Sequence, residues 1–186
     1  MSILVVSDTH GDVSSWSHIF EIINMEELDI IIHAGDVLYH GPRNPIKETY
    51  DPGRLSEEIN KLDMPIFIAA GNCDSEVDDM VLSPIIQSSP LFLHIAGRGI
   101  VVHHGHNKTE DDLLNVAQKF KADIIIYGHS HIRKNFKLKD ILFLNPGSTS
   151  LPKTEDGIPT FALLENNVIK LYNLNSGEII EKTDIT

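Results

Sequence analysis

The amino-acid sequence predicts an α/β fold in which two packed β-sheets are flanked by helices. In the first two-thirds of the 186 residues, short apolar runs alternate with helical segments, which indicates parallel strands joined by crossover helices. In the last third, apolar runs follow one another across tight turns, which indicates antiparallel strands. The sequence contains neither a linker nor an internal repeat, so we expect residues 1–186 to form a single domain.

In the part of the chain where strands and helices alternate, a strand is predicted wherever an apolar run ends in polar or glycine-rich residues. These strands cover 3–7, 29–34, 65–70, 99–103 and 123–127. Helices are predicted between them, over 15–25, 53–62 and 110–120. We expect Ser14 or Ser15 to cap the first helix and Thr109 the third, because a hydroxyl oxygen at this position accepts a hydrogen bond from a free backbone N–H group. Prolines make 37–52 a long loop and 83–93 an irregular stretch.

The C-terminal third is predicted to be a series of strands, over 132–136, 141–144, 160–165 and 168–173. Asn166 and Asn167 suit a hairpin turn, and so does the segment 175–177, because Asn and Gly tolerate positive φ angles.

Charge and composition narrow the classes of function. The chain has 27 acidic and 15 basic residues, a formal net charge of −12, which argues against non-specific nucleic-acid binding and against an anionic membrane as partner. The one cysteine, Cys73, cannot form an intrachain disulfide, which fits a reducing compartment. The N-terminus does not read as a signal peptide, and the apolar runs are shorter than the roughly 20 residues that span a bilayer. A cytoplasmic protein is the simplest interpretation.

Residues with metal-binding side chains follow five of the predicted strands, each beside a glycine. They are Asp8, His10, Asp36, Asn72, His104, His129 and His131. Because ligands gather at the carboxyl ends of strands in α/β sheets, we expect these side chains to share one site. Taken singly, each also fits a turn, a cap or a buried histidine, but their coincidence favours a metal site. Carboxylate, amide and imidazole groups suit Mn²⁺, Fe²⁺, Co²⁺ or Zn²⁺, and a shared carboxylate can bridge two metals roughly 3.5–4 Å apart.

Five motifs occur in a specific order along the chain: Asp8-x-His10, Gly35-Asp36, Gly71-Asn72-x-Asp74, His104-Gly105-His106 and Gly128-His129-Ser130-His131. Over nearly the whole chain the sequence resembles the calcineurin-like metallophosphoesterases in these motifs. The segments 40–45 and 145–148, together with Cys73 after Asn72, resemble the YfcE-type bacterial phosphodiesterases.

The resemblance implies a four-layer αββα sandwich and a hydrolase for a small phosphodiester. It implies two metal ions, one held by Asp8, His10, Asp36 and His131, the other by Asp36, Asn72, His104 and His129. Asp36 would be the bridge, and a hydroxide between the metals would be the nucleophile. We expect Mn²⁺, with Ni²⁺, Zn²⁺, Fe²⁺ and Co²⁺ as alternatives. Two dications would reduce the net charge from −12 to −8, which lessens the repulsion of an anionic substrate.

Five further residues are candidates for the site. Cys73 stands where many members of the superfamily have a histidine, and a thiol is a poor proton donor, so we expect diesters with acidic leaving groups to react best. Asp74 could orient a site group or bind the loop backbone. His106 could contact a phosphate oxygen or supply a proton. Arg43 could bind a phosphate oxygen in bidentate fashion, and His40 could assist it.

Two alternatives to a phosphodiesterase remain open. One is a non-catalytic scaffold, because a retromer subunit shares the fold; seven competent ligand residues in this chain argue against it. The other is a phosphomonoesterase, which Cys73 disfavours. We also expect that the stretch 83–93 could serve a homo-oligomer interface, that His103 has a structural role, and that His18, His33 and His94 are ordinary surface or core residues.

Overall fold

Two β-sheets pack face to face in the computed structural model, which describes residues 1–185. The strands are β1 (Ser2–Val6), β2 (Ile30–His33), β3 (Ile66–Ala69), β4 (Ile86–Gln87), β5 (Leu91–Ile95), β6 (Arg98–His103), β7 (Ile124–Tyr127), β8 (Lys134–Leu138), β9 (Ile141–Asn145), β10 (Thr160–Glu165), β11 (Val168–Asn173) and β12 (Ile179–Asp184). The helices are α1 (Val13–Ile22), α2 (Pro52–Asn60), α3 (Glu76–Val81) and α4 (Glu110–Phe120), with a 3₁₀ turn at Met25–Glu27.

Both sheets are mixed. The first has the strand order β12-β11-β10-β1-β2-β3-β4, with β1 to β4 parallel and β10 to β12 antiparallel. The second has the order β5-β6-β7-β9-β8, with β6, β7 and β9 parallel and the two outer strands antiparallel. The parallel strands end level with one another, since Val6 pairs with His33 and His103 pairs with Tyr127. The loops after β1, β2, β6 and β7 therefore start at the same edge of the molecule.

Three layers of apolar side chains lie between the two sheets and between each sheet and its helices. The inner faces of both sheets form a common core that includes Val5, Ile32 and Ile126. The outer face of the first sheet packs on α1 and α2, with Trp16 fully enclosed, and the outer face of the second packs on α4 through Leu113. The order helix, sheet, sheet, helix confirms the predicted four-layer α/β sandwich.

Helix starts follow from side-chain caps. Thr109 caps α4 as predicted, in a reciprocal pair of hydrogen bonds with Asp112. The cap of α1 is Asp12, whose carboxylate accepts a hydrogen bond from Ser15 N at 3.1 Å, so the prediction of Ser14 or Ser15 is wrong. Asp12 directly precedes the first helical residue, whereas Ser14 and Ser15 lie inside the first turn, where their side chains are past the cap position.

The C-terminal strands divide between the two sheets. β8 and β9 form a hairpin in the second sheet, whereas β10, β11 and β12 return to the first sheet beside β1. Asn166 and Asn167 both have positive φ, 49° and 62°, and Gly177 has a φ of 72°, as the predicted turns require. The stretch 83–93 was expected to be irregular, but it contains β4 and the start of β5.

Among residues 1–185, no helix is both long and apolar enough to cross a membrane. The cytoplasmic location and the homo-oligomer interface over 83–93 stay predictions.

Candidate metal centre

The loops after β1 and β2 are joined by backbone hydrogen bonds that continue beyond the ends of the strands. Asp8 N donates to Gly35 O at 3.0 Å, and His10 N donates to Asp36 O at 3.1 Å. This pairing brings Asp8, His10 and Asp36 together although 28 positions separate the first from the last. From the second sheet, His129 N donates to Asp8 Oδ2 at 3.0 Å, so the two sheets meet at this point.

The backbone at the centre is held in an uncommon conformation. Positive φ angles occur at five of the seven predicted ligand residues, namely 53° at Asp8, 47° at His10, 59° at Asp36, 67° at His129 and 57° at His131. Residues other than glycine rarely adopt such angles, and the conformation costs roughly 1–3 kcal/mol for each residue. Strain of this kind concentrates at functional sites, where surrounding contacts maintain it.

Two glycines allow the loops to approach one another closely. A Cβ atom on Gly71 would lie 2.5 Å from Asp36 N, and one on Gly128 would lie 2.8 Å from Asp8 Oδ2. Both distances are far below van der Waals contact, so larger residues at these positions would displace the carboxylates.

One group of ligand atoms is formed by Asp8, His10 and His131, whose ligand atoms lie within 4.8 Å of one another. His131 Nε2 lies 3.4 Å from Asp8 Oδ1, and His10 Nε2 lies 3.8 Å from the same oxygen. The two Nε2 atoms are 3.2 Å apart. All three residues are buried.

A second group is formed by Asp36, His104 and His129. His104 Nε2 lies 3.2 Å from Asp36 Oδ2, and the same carboxylate oxygen lies 3.8 Å from His10 Nε2 in the first group. Asp36 therefore faces both groups of ligands. Cys73 joins His10 and Asp36 in a third arrangement of possible ligand atoms.

Three of the histidines are oriented by hydrogen bonds from Nδ1 to backbone carbonyl oxygens. The partners are Tyr39 O for His10 at 2.7 Å, Ala34 O for His104 at 2.8 Å and Leu151 O for His131 at 2.6 Å. A carbonyl only accepts, so Nδ1 carries the proton and Nε2 is left to bind a ligand, as is typical of metal-binding histidines.

Burial and the charges of neighbouring groups shift the pKa values of Asp8, Asp36 and His104. Burial raises the pKa of Asp8 to about 6, although the charge of His104 and a hydrogen bond from Ser7 oppose it. Burial alone would lower the pKa of His104, but the contact with Asp36 and the charge of Asp8 raise it to about 9. Burial would raise the pKa of Asp36, yet His104 outweighs it and holds that pKa well below its usual range.

Two further histidines of the centre, His129 and His131, favour the neutral state. Burial, followed by the charge of His104, lowers the pKa of His129 to about 4. Burial is also the main cause that lowers the pKa of His131 to about 3. Neutral imidazole is the form that binds metal ions.

The residues of the centre fit divalent cations. Within residues 1–185, Asp8 Oδ1 and His104 Nε2 are buried atoms without a hydrogen-bond partner. A buried carboxylate oxygen without a partner is strongly unfavourable unless a cation neutralises it. The close approach of the Nε2 atoms of His10 and His131 has the same explanation, since both present lone pairs once their Nδ1 atoms donate.

The structure places Asn72, Cys73 and Arg43 on the wall of a cavity of about 950 Å³ that opens at the centre. The amide of Asn72 lies 3.2 Å from Cys73 Sγ, and Cys73 N donates to Asp36 Oδ1 at 2.8 Å. Burial, followed by the charge of Asp36, raises the pKa of Cys73 to about 12. The guanidinium of Arg43 is exposed.

The Asp74 carboxylate accepts its hydrogen bonds from backbone N–H groups and not from the histidines of the centre. Its carboxylate accepts from Asp36 N at 2.9 Å, Val37 N at 2.8 Å and Gly71 N at 2.7 Å. Of the two roles considered for Asp74, the structure supports the one in which it fixes the loops that carry Asp36.

His106 lies at the edge of the metal centre, and His40 lies outside the lining of its main cavity. The ring of His106 is exposed at the edge of the centre, 5.7 Å from His104 and 6.1 Å from His129 between ring centroids. His40 packs against Tyr39 and Tyr50, at 4.6 Å and 5.2 Å between ring centroids, and lines a separate small pocket. The expected contact of His40 with a substrate stays a prediction.

Three polar side chains support the candidate ligands without carrying a signal in the sequence. Ser148 Oγ and Ser150 Oγ both donate to Asp8 O, at 2.7 Å and 3.0 Å, and Asn145 Nδ2 donates to Gly128 O at 3.0 Å. These contacts give the 145–148 segment a structural role beneath the metal-binding loops. Lys153 carries no such signal either; it is exposed, lines the cavity, and donates from its backbone N to His131 O at 3.0 Å.

His103 has a structural role, as the sequence predicted, and His33 is a buried residue with a similar one. Each ends a strand, and its Nδ1 accepts a hydrogen bond from the glycine two positions later, Gly35 at 3.1 Å and Gly105 at 2.8 Å. The two histidines thus turn the chain in the same way after β2 and after β6. His18, by contrast, lies on the surface and pairs with Glu21.

Comparison with known proteins agrees with this arrangement. Residues 1–167 match the calcineurin-like phosphoesterase superfamily domain. Phosphodiesterase YfcE of Escherichia coli K12 is 32% identical over 186 residues, which cover 100% of this chain and 98% of that protein. Phosphodiesterase MJ0936 of Methanocaldococcus jannaschii is 28% identical and covers 89% of this chain and 93% of its own length.

Solved structures show the same fold. The structure of YfcE, described as a phosphoesterase from E. coli, has a TM-score of 0.90 at 31% identity and covers both chains completely. The crystal structure of Entamoeba histolytica Vps29 complexed with Zn²⁺ has a TM-score of 0.70 at 23% identity over the full length of both chains, which shows likeness of fold alone. The predicted resemblance, the fold class and the assignment to a family of metal-dependent phosphodiesterases are confirmed. The chain belongs to the calcineurin-like phosphoesterase superfamily.

Proposed function

We propose that this chain hydrolyses a small phosphodiester at a centre for two divalent cations. The observation that carries the proposal is the position of Asp36, which faces both groups of ligand atoms, beside the buried and unpartnered Asp8 Oδ1. The cations would be held by Asp8, His10, Asp36 and His131 at one position and by Asp36, Asn72, His104 and His129 at the other. When bound, the cations supply Lewis acidity, which neutralises phosphoryl charge and makes hydroxide available at neutral pH.

The protein's own residues orient the ligands and attract the substrate. Asp36 is held by the N–H group of Cys73, and its backbone is held by Asp74. Arg43 and Lys153 place positive charge on the wall of the cavity, which favours entry of an anionic phosphodiester despite the net charge of −12.

An ester with an acidic leaving group suits Cys73 better than one with a basic leaving group. With a pKa of about 12, Cys73 keeps its proton at neutral pH and gives it up with difficulty, so it is a weak general acid. A leaving group that departs as a stable anion needs no proton. The relatives named as phosphodiesterases support the choice of a diester.

The test is a metal-by-substrate matrix. Chelated protein is loaded in turn with Mn²⁺, Ni²⁺, Zn²⁺, Fe²⁺ or Co²⁺ and assayed with bis(p-nitrophenyl) phosphate beside p-nitrophenyl phosphate. We expect two cations per chain, the highest activity with Mn²⁺, and faster hydrolysis of the diester. Failure to take up a pair of cations would overturn the proposal.

The variant Asp36→Asn sharpens this test. It keeps the shape of the side chain but removes the charge, so we expect loss of one cation and a loss of activity of roughly 10²-fold or more. Asp63→Asn, at an exposed position, is the matched control. A loaded protein that hydrolyses neither ester would favour the scaffold, and faster cleavage of the monoester would favour a phosphomonoesterase.

A further inference from the structure

Ser7 is a buried serine that contacts a candidate metal ligand without being a ligand itself. It directly follows β1, and its Oγ donates to Asp8 Oδ2 at 2.6 Å. This length is typical of a hydroxyl that donates to a charged carboxylate, and such bonds are roughly twice as strong as those between neutral groups. Residue 128 must be small for the hydroxyl to fit, because a Cβ atom on Gly128 would overlap Ser7 Oγ. The contact is therefore strong, and the neighbouring loop leaves room for it.

The two oxygens of the Asp8 carboxylate have different surroundings. Oδ2 accepts from Ser7 Oγ at 2.6 Å and from His129 N at 3.0 Å. Oδ1 has no hydrogen-bond partner among residues 1–185 and lies 3.4 Å from His131 Nε2, on the side of the first group of ligands. A carboxylate oxygen offers roughly two lone-pair positions, so the two donors fill those of Oδ2 and leave Oδ1 for a cation.

The main chain of Asp8 is held by bonds that do not involve the hydroxyl of Ser7. Asp8 N donates to Gly35 O at 3.0 Å. Asp8 O accepts from Ser148 Oγ at 2.7 Å and from Ser150 Oγ at 3.0 Å. These bonds leave the carboxylate able to rotate, because the last side-chain torsion of aspartate has broad minima. The donors to Oδ2 restrict that rotation, so the hydroxyl of Ser7 acts on the direction of the carboxylate and not on the position of the backbone.

We propose that Ser7 is a positioning residue, which turns the Asp8 carboxylate so that Oδ1 alone faces a cation. The inference rests on the proposed metal centre and extends it by a residue that contacts neither cation nor substrate. The hydroxyl and His129 N hold Oδ2 away from the cation, whose remaining positions are then open to His10, His131 and the substrate. Without the hydroxyl, Oδ2 keeps one donor, and the carboxylate can turn away from His131.

The cation affinity of Ser7→Ala tests the inference without any use of hydrolysis. Chelated protein is titrated with Mn²⁺ in a calorimeter, and the binding step that His131→Asn weakens most identifies the cation at Asp8. We expect Ser7→Ala to weaken that step by roughly tenfold or more, as loss of a hydrogen bond to a metal ligand typically does, and to change the other step less than threefold. Ser56→Ala is the matched control, because Ser56 is also buried and its Oγ donates to Gly53 O within α2.

A purely structural role of Ser7 would give a different pattern. Loss of packing around Asp8 would weaken both binding steps alike, and that result would overturn the inference. Affinities within twofold of those of the wild-type protein at both steps would overturn it as well. Tighter binding at the Asp8 step would show that the carboxylate binds a cation better once Oδ2 is released, which contradicts the role proposed for Ser7.

A crystal structure of the Mn²⁺-loaded wild-type protein tests the inference without a variant. We expect Asp8 to bind its cation through Oδ1, with Oδ2 still bonded to Ser7 Oγ; a cation on both oxygens, or on Oδ2, would overturn the inference. A single cation that is bound through Oδ1 and weakened by Ser7→Ala would overturn the pair of cations in the proposed function and keep the role of Ser7. Two cations with full affinity in Ser7→Ala would overturn the role of Ser7 and keep the proposed function.

Discussion

Gly71→Ala is the substitution whose effect on the metal centre can be worked out most directly. Gly71 precedes Asn72 and packs against Asp36, the carboxylate shared by both groups of ligands. A methyl group at this position would lie 2.5 Å from Asp36 N and 3.0 Å from Asp36 Cγ. Alanine would thus crowd Asp36 Oδ1, whereas His10 and His104 lie near Asp36 Oδ2, and it would not itself be a ligand.

The required movement is large for a metal site. Ordinary contact begins at 3.4 Å, so the backbone of Asp36 and that of Gly71 must separate by about 0.9 Å. Metal–ligand distances tolerate only about 0.2 Å, and a misplacement of about 1 Å at a reacting centre can cost 10²-fold in rate. We therefore expect kcat/KM to fall by roughly 10²-fold and cation affinity to fall by at least roughly tenfold. The fold should survive, with a loss of roughly 1–3 kcal/mol in the free energy of unfolding.

The assay combines calorimetric titration of chelated protein with Mn²⁺ and hydrolysis of bis(p-nitrophenyl) phosphate. Gly53→Ala is the matched control, because its new methyl group would lie 3.7 Å from Asp51 Oδ1, which is ordinary contact. That control lies in the first turn of α2 and is expected to keep full activity. If Gly71→Ala retained wild-type cation affinity and kcat/KM within twofold, the argument that Asp36 must be held at this position would be refuted.

Three further predictions concern single side chains. Burial lowers the pKa of His33 from 6.5 to about 3, so below pH 6.5 the unfolded chain binds more protons than the folded chain, and stability falls as the pH falls. Between pH 7.5 and 5, this group should lower the free energy of unfolding of the chelated protein by about 2 kcal/mol. Urea denaturation measures the loss, which should be absent from His33→Gln. Lys153→Ala should raise KM roughly threefold at low salt with kcat little changed, and the effect should shrink in 0.5 M salt; an equal effect of Lys182→Ala, at an exposed position on β12, would contradict it. Cys73→His should raise hydrolysis of a monoester with a basic alkoxide leaving group by roughly tenfold or more, because imidazolium donates protons better than a thiol; unchanged activity on that monoester would refute the proton-donor argument.

The strands that carry the ligands could be predicted from sequence because their signal is local. Each is a short apolar run, such as Ile30–His33, that stops at a glycine beside a polar residue. A buried parallel strand must be apolar on both faces, and the chain must turn where the sheet ends. The same pattern predicted that these possible metal ligands cluster, since parallel strands deliver their last residues to one edge.

The elements that escaped prediction lack that local signal. α3 has an exposed valine and methionine, Val77 at 64% and Met80 at 81%, so its apolar residues do not mark a buried face. β12 is an edge strand whose Ile179 and Ile180 are partly exposed, and its place is set by pairing with β11. Pairing of this kind depends on residues distant in the chain, and a single sequence does not reveal it.

The roles of Lys153, Ser148 and Ser150 could not be predicted from the sequence for a related reason. They lie in the segment after β9, which returns across the metal centre through bonds such as Ser148 Oγ to Asp8 O over 140 positions. Contacts over such separations follow from the closed tertiary structure.

The positive φ angles of five ligand residues affect how this enzyme can be altered. Alanine at Asp8 or Asp36 would remove a carboxylate and would also keep a backbone angle that alanine adopts at a cost of roughly 1–2 kcal/mol. Asparagine and glycine accept this angle more readily, so they remove the charge with less disturbance of the loop. An inactive alanine variant thus mixes two effects, whereas an inactive asparagine variant reports on the carboxylate itself. Directed evolution that exchanges ligands at this rim would accordingly succeed most often among residues that tolerate the left-handed conformation.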